Sequence, residues 1–343
     1  MKIFINNFFY YISARQKLIL LILSIFLTTS IFLGFIYGGF SISLINILKL
    51  DFTPIEYEVL TKIRLPRVLL AFFVGSALGI AGATLQGLFR NPLADPGLIG
   101  VSAGAALGAV FAIVLISDLI NLSYLGDYLL PLSSIIGSLL TIILLYTITK
   151  GFGHEGVTYM LLIGIAINAL ATVGIGIFTY ISSDSQLRGL TFWMMGSFGN
   201  STWNLVLPAI GLIAISILFL LPYSRQLDLI QLGELEALRL GIDIKKLKLK
   251  VILSCAFMIG ASVSISGMIG FVGLVVPHLV RLVGGVNHNY LLLGSTVMGG
   301  SLMVLADLLS RIALKPAELP VGLVTSAIGS PFFLWLIIKV KKK

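Results

Sequence analysis

Apolar stretches of about 20 residues with hardly a charge recur along this 343-residue chain, parted by short segments that carry most of its lysine and arginine. They lie near 18–37, 68–89, 96–117, 128–149, 156–181, 203–222, 251–270, 272–286, 290–310 and 320–338. That length of helix crosses a bilayer, and helix is required because a lipid-exposed backbone must satisfy its own hydrogen bonds. The expected fold class is all-α and polytopic, with about ten transmembrane helices in a single domain over residues 1–343. The eighth stretch is too short to cross alone as drawn. The first follows Lys2, Arg15 and Lys17 as a signal peptide does, yet it is longer than the ~7–15 residues of a signal core and has no small-x-small cleavage site. It reads as a first span.

Composition agrees with lipid as the solvent. Hydrophobic residues make up 58% and charged residues 11%, with a mean hydropathy of +1.07. A soluble domain carries roughly 25% charge. The net charge of +9 does not point to nucleic acid, because the basic residues sit in short loops and form no aromatic-interleaved face. The one cysteine, Cys255, lies in an apolar run, so neither a disulfide framework nor a thiolate metal site is expected.

Charge sets the orientation. With the N-terminus inside, inner segments hold 16 of the 23 basic residues, including Arg225, Arg239, Lys245, Lys246, Lys248 and Lys250 in one loop and four lysines in the tail. An even number of spans then puts both termini in the cytoplasm. At an offset of 185 residues, Gly75, Gly82, Pro92 and Gly100 match Gly260, Gly267, Pro277 and Gly285. The two segments start in spans of opposite direction, which suggests an inverted-repeat arrangement.

Three segments are neither plain spans nor plain loops. The turn 90–97, Arg-Asn-Pro-Leu-Ala-Asp-Pro-Gly, cannot be a continuous helix, and its place at an inner helix end suits a gate. Within the cytoplasmic segment 225–248, residues 231–243 read as a short amphipathic helix with Leu232, Leu235, Leu238 and Ile242 at helical spacing, broken by Gly241. Such a segment suits docking of a soluble partner; lying on the bilayer is the alternative. Third, Arg64, Arg67 and Arg311 stand at outer helix ends, against the topological rule. An acidic partner or anionic substrate explains them, or, for Arg311, an i,i+4 pair with Asp307.

These segments carry a resemblance. Arg64-Leu-Pro-Arg67, Gly82-x-x-x-Gln86, Asn91-Pro-Leu-Ala-Asp-Pro-Gly97 and Ser102-Ala-Gly-Ala105 follow in order. Then come Trp193-x-x-Gly-Ser197, Gly233-x-x-x-Ala237-x-x-Leu240-Gly241, Gly273-Leu-x-x-Pro277-His278-x-x-Arg281 and Ala317-Glu-Leu-Pro-x-Gly322. From about residue 60 onward the chain resembles the permease family of bacterial type II ABC importers for ferric siderophores, haem and cobalamin. The resemblance implies a multi-pass inner-membrane subunit with ten helices, acting as a homodimer with two cytosolic ATPase subunits and a periplasmic binding protein. It implies that Arg64, Arg67 and Arg311 face acidic residues of the binding protein, and that Asn91 and Leu93 belong to the cytoplasmic gate. It implies also that the segment holding Gly233, Glu234, Ala237, Leu240 and Gly241 couples to the ATPase.

The chain has no GxxxxGK[ST] phosphate loop, so it is expected not to be an enzyme, and ATP hydrolysis falls to a partner. His154, His278 and His288 are dispersed, so no cofactor or metal is expected. The cargo implied is an iron chelate, with cobalamin as the alternative. The rival class, an ion-coupled secondary transporter, needs intramembrane acids, and Asp307 is the one acidic residue within a proposed span.

Overall fold

A computed structural model describes residues 12–40, 42, 46, 49, 51–116, 126–149 and 156–341, and every regular element among them is helical. Helices α1 (Ala14–Ile36), α2 (Pro54–Leu88), α3 (Val101–Ile116), α4 (Gly126–Thr149) and α5 (Gly156–Ile181) come first. The short α6 (Asp184–Met194) and the longer α7 (Trp203–Leu220) lead to a hairpin of α8 (Ser224–Ile230) and α9 (Glu234–Arg239). The chain ends with α10 (Ile244–Ser266), α11 (Val272–Gly284), α12 (His288–Ile312) and α13 (Val321–Lys341). Among the described residues seven helical stretches are long and apolar enough to cross a membrane, and three shorter apolar helices fill the remaining expected positions.

The protein is built inside out relative to a soluble bundle. Helices α2, α10 and α12 form the buried centre, while α1 and α5 leave most of their apolar side chains at least partly exposed, as lipid permits. Small residues set the central contacts. A Cβ on Gly75 would lie 2.3 Å from the Gly299 carbonyl oxygen, so α2 and α12 touch backbone to backbone; Gly260 of α10 lies as tightly against Ser138 of α4. In lipid, where apolar surface gives helices little reason to associate, such close packing supplies the attraction.

The element order α2–turn–α3–α4–α5 recurs as α10–turn–α11–α12–α13, and the first helix of each set packs on the third of the other. The residue matches at an offset of 185 do not follow that correspondence. Gly82 is mid-helix whereas Gly267 is in a turn, and Pro92 is in a turn whereas Pro277 is inside α11. The repeat lives in helix order, not in that register.

Three boundaries differ from the sequence expectation. Helix α2 starts at Pro54 rather than near 68, because Thr53 and Glu56 form a capping box with proline at the first helical position. Helix α6 occupies what reads as an outer loop, started by a capping box between Ser183 and Gln186. Helix α10 begins at Ile244, which puts the lysines of 245–250 on its first two turns. Helix α11 is 13 residues, about 20 Å long, and follows an irregular segment at 267–271 in which Gly267 is buried and Gly270 exposed.

Candidate functional site

At one end of the bundle the three expected arginines converge, but inside the protein. Arg64, Arg67 and Arg311 are 3%, 6% and 4% exposed. Arg67 Nε lies 2.8 Å from Asp307 Oδ1, and its Nη1 lies 2.9 Å from Glu318 Oε2. Arg311 Nε lies 3.1 Å from Asp307 Oδ2, so the i,i+4 pair is present. Arg311 also donates to the carbonyls of Gly34 and Tyr37, and Arg64 to those of Phe35, Ile36 and Phe40. These carbonyls cluster at the C-terminal end of α1, where helix oxygens lack intrahelical partners and the helix dipole favours cations. Two carboxylates and a helix end thus account for the three cations. Glu318, with a side chain 45% exposed, carries the cluster to the surface. Beside it open two adjoining clefts of about 460 and 500 Å³, which share Leu130, Trp193, Asn200 and Ile265. Glu318 lines the first and Lys62 the second.

The opposite end holds the turn after α2. Arg90 takes a left-handed conformation, φ 51°, that stops the helix. The Asn91 side chain then accepts from the Leu93 N–H at 2.9 Å, and Asp95 accepts from the Gly97 N–H at 2.7 Å. Two Asx turns in seven residues make this a fixed shape. It is anchored through Asn168 of α5, which donates to the Gly97 carbonyl, and through Pro96, which packs on Gly273 of α11. Leu93 is exposed, bordered by Leu274 and His278 of α11 and Phe332 of α13.

The α8–α9 hairpin sits at the same end. Its second helix is shorter than the sequence pattern suggests: only Glu234–Arg239 is helical, held between Gly233 (φ 114°) and Gly241 (φ 85°). Leu232 precedes the helix and Ile242 follows it, so the leucine spacing overstated its length. Ala237 is fully buried, and the Glu234 carboxylate, largely buried, pairs with Lys248 of α10 at 2.8 Å. Those contacts point Leu232, Leu235, Leu238 and Leu240 outward, each more than half exposed. Asp243 caps α10 by accepting from the Lys246 N–H at 3.0 Å; this bond, then the Lys246 side chain, holds its carboxyl below the usual carboxylate range. Turn and hairpin touch: Gln231 donates to the Gly87 carbonyl at 2.6 Å, and Arg90 Nη1 lies 3.9 Å from where a Cβ on Gly233 would stand.

The start of α1 and the last turns of α13 lie at this same end. Arg15 and Gln16 donate to carbonyls of Val283 and Gly284 near the end of α11, while the start of α13 bonds to Gly196 near the arginines. His154 lies outside the described residues; His278 faces Phe332, and His288 meets Asp228. No three His, Cys, Asp or Glu side chains among the described residues gather as a metal site.

A bundle of apolar helices long enough to cross a membrane, with an exposed leucine surface beside a rigid turn at one end, has the makings of a membrane transport permease. A model of the FecCD transport family matches residues 20–339, and the chain belongs to that family. It is 44% identical to the hemin transport system permease protein HmuU of Yersinia pestis, over 89% of this chain and 91% of that protein. It is 38% identical to the vitamin B12 import system permease protein BtuC of Escherichia coli O9:H4 (strain HS), over 85% and 87%. A solved ABC transporter of the metal-chelate type, in an inward-facing conformation, superimposes with a TM-score of 0.84 at 34% identity, covering 94% of this chain and 99% of that one. This is an ABC importer permease.

Proposed function

We propose that the chain carries an iron chelate, haem or a ferric siderophore, from periplasm to cytoplasm as one of two identical permease subunits, powered by a separate ATPase pair. The observation that carries the cargo assignment is the 44% identity to a hemin permease along nearly the whole length of both chains. The 38% identity to a vitamin B12 permease makes cobalamin the second reading. The exposed leucines around Gly233, Glu234, Ala237, Leu240 and Gly241 form the ATPase docking surface, and Asn91 and Leu93 form the gate above it. This places hairpin, gate and both termini in the cytoplasm, in accord with the excess of lysine and arginine there.

The arginine end then faces the periplasm and receives the binding protein. Direct docking by Arg64, Arg67 and Arg311 requires new partners for buried groups; Arg67 can make that exchange most simply, trading half-exposed Glu318 for a carboxylate of the binding protein. An ion-coupled carrier is disfavoured, since Asp307 is already held by two arginines.

Reconstitution tests the proposal. Vesicles containing the permease, the ATPase subunit it co-purifies with and the binding protein should take up hemin when ATP is supplied on the hairpin side, and cyanocobalamin should not compete. Uptake driven by a proton or sodium gradient without ATP would overturn the importer reading. Uptake of cyanocobalamin in preference to hemin would overturn the cargo.

A further inference from the structure

The docking helix α9 reaches the transmembrane core by few routes, and one of them is chemically distinct. Helix α8 packs on the ends of α2 and α12, whereas α9 rests on α8 and α10. Polar side chains fasten α8 to both core helices. Ser224 donates to the Asn289 side chain. Asp228 Oδ1 accepts the His288 backbone N–H at 3.0 Å and lies 2.6 Å from His288 Nδ1. Just past α8, Gln231 donates to the Gly87 carbonyl.

His288 is the pin of this joint. It is the first residue of α12, 4% exposed, and its backbone and ring both address one carboxylate oxygen. The ring's other nitrogen, Nε2, is buried without a partner against α2: a Cβ on Gly87 would fall 2.3 Å from it. Glycine at position 87 therefore makes room for the imidazole, and the ring fills the space between Asp228 and α2. The Gly87 carbonyl also accepts the N–H of Arg90, the residue whose left-handed backbone opens the gate turn. One carbonyl thus receives the hairpin through Gln231 and the gate through Arg90.

Resting on the importer reading above, we propose that Asp228, His288 and Gln231 are positioning residues that transmit movement of the docked hairpin to the Asn91–Leu93 gate. Displacement of α9 carries α8 with it. Through Asp228 and His288 the pull reaches the head of α12, and through Gln231 it reaches the last turn of α2. Apolar side chains in their place would let α8 slide on greasy contacts; a carboxylate locked to a ring and a backbone N–H cannot slide without breaking.

The test uses the reconstituted complex with hemin as probe and reads hemin moved per ATP hydrolysed. His288→Leu is expected to lower that ratio on the order of tenfold or more while the ATPase subunit stays bound. His288→Asn, whose amide N–H can replace Nδ1–H toward Asp228, should restore much of it. Gln231→Met should lower the ratio with His288 intact. Wild-type ratios in both His288→Leu and Gln231→Met overturn the proposal, as does a fall in thermal stability without a fall in the ratio. If His288→Leu does not assemble, Gln231→Met and His288→Asn decide, and a wild-type ratio in Gln231→Met is the contradicting result. A wild-type complex that hydrolyses ATP without moving hemin defeats the importer reading instead.

Discussion

The two ends of the bundle differ in how much of their charge they bury. At the arginine end, three guanidiniums and Asp307 are buried and bonded to one another or to the end of α1. At the hairpin end the pair of Glu234 with Lys248 is largely buried too, but Arg239 with Glu236 and Lys246 with Asp243 are exposed pairs, and leucines stand in the open beside them. Buried charge fixes geometry, because breaking one partner strands the other in a medium that cannot solvate it. Exposed pairs contribute little to stability, and exposed leucines gain by being covered. The first end is built to stay together. The second leaves apolar surface that covering would stabilise.

The largest expected effect comes from disrupting the locked end. Asp307→Leu leaves Arg67 and Arg311 without the carboxylate they share and should cost about 3–5 kcal/mol, enough to lower the yield of monodisperse protein and its melting temperature in detergent. Arg311→Glu sets a second buried acid beside Asp307 and should be as damaging. Glu318→Gln touches the exposed rim of the same cluster and should leave the melting temperature nearly unchanged. Equal melting temperatures for all three variants would contradict the description of this end as a buried ionic lock.

A smaller effect is expected at Gly241. A Cβ there meets nothing within 4 Å, so the obstacle to substitution is the backbone angle alone. Gly241→Val forces a branched side chain into the left-handed region, at about 1–2 kcal/mol. It should reorient α9 and reduce hemin uptake per ATP. Asn tolerates that region, so Gly241→Asn should retain most uptake. Equal loss in both would point to surface chemistry rather than backbone shape.

The smallest effect concerns the Asp243 cap. A carboxyl whose folded pKa is depressed stabilises the fold above its ordinary value near 4 and loses that contribution as pH falls through the lower folded value. Protease cleavage between α9 and α10 should therefore be flat from about pH 5 to 8 and rise only below about pH 4. A rise in cleavage near pH 6 would show that a different group controls this junction.

Much of the fold was legible in the sequence because lipid imposes a simple code, in which long apolar stretches are spans. What escaped was structure that saves no apolar run. Helix α6 is short and polar, and only the Ser183–Gln186 box signals it. Arg311 does stand at a helix end, but Arg64 and Arg67 lie within α2, which starts at Pro54, and the burial of all three could not be read. It depends on Asp307, 240 residues from Arg67, and on carbonyls of α1, which have no sequence signature. The hairpin glycines were visible as breakers, whereas the true length of α9 was hidden by leucines that continue the spacing beyond the helix. Asp228 and His288 stand alone in sequence, 60 residues apart, and only the fold joins them.

The contrast between the ends is tested most directly by Leu235→Ser combined with Leu238→Ser. Both side chains are more than half exposed in the permease itself. The account predicts a melting temperature close to wild type, since exposed substitutions shift stability by only about ±0.5 kcal/mol. It predicts also a loss of ATPase affinity of at least roughly tenfold, because two leucines are left out of the interface at about 1.5–3 kcal/mol for each one fully buried. Unchanged ATPase affinity in a normally folded double variant would contradict the docking role of this surface.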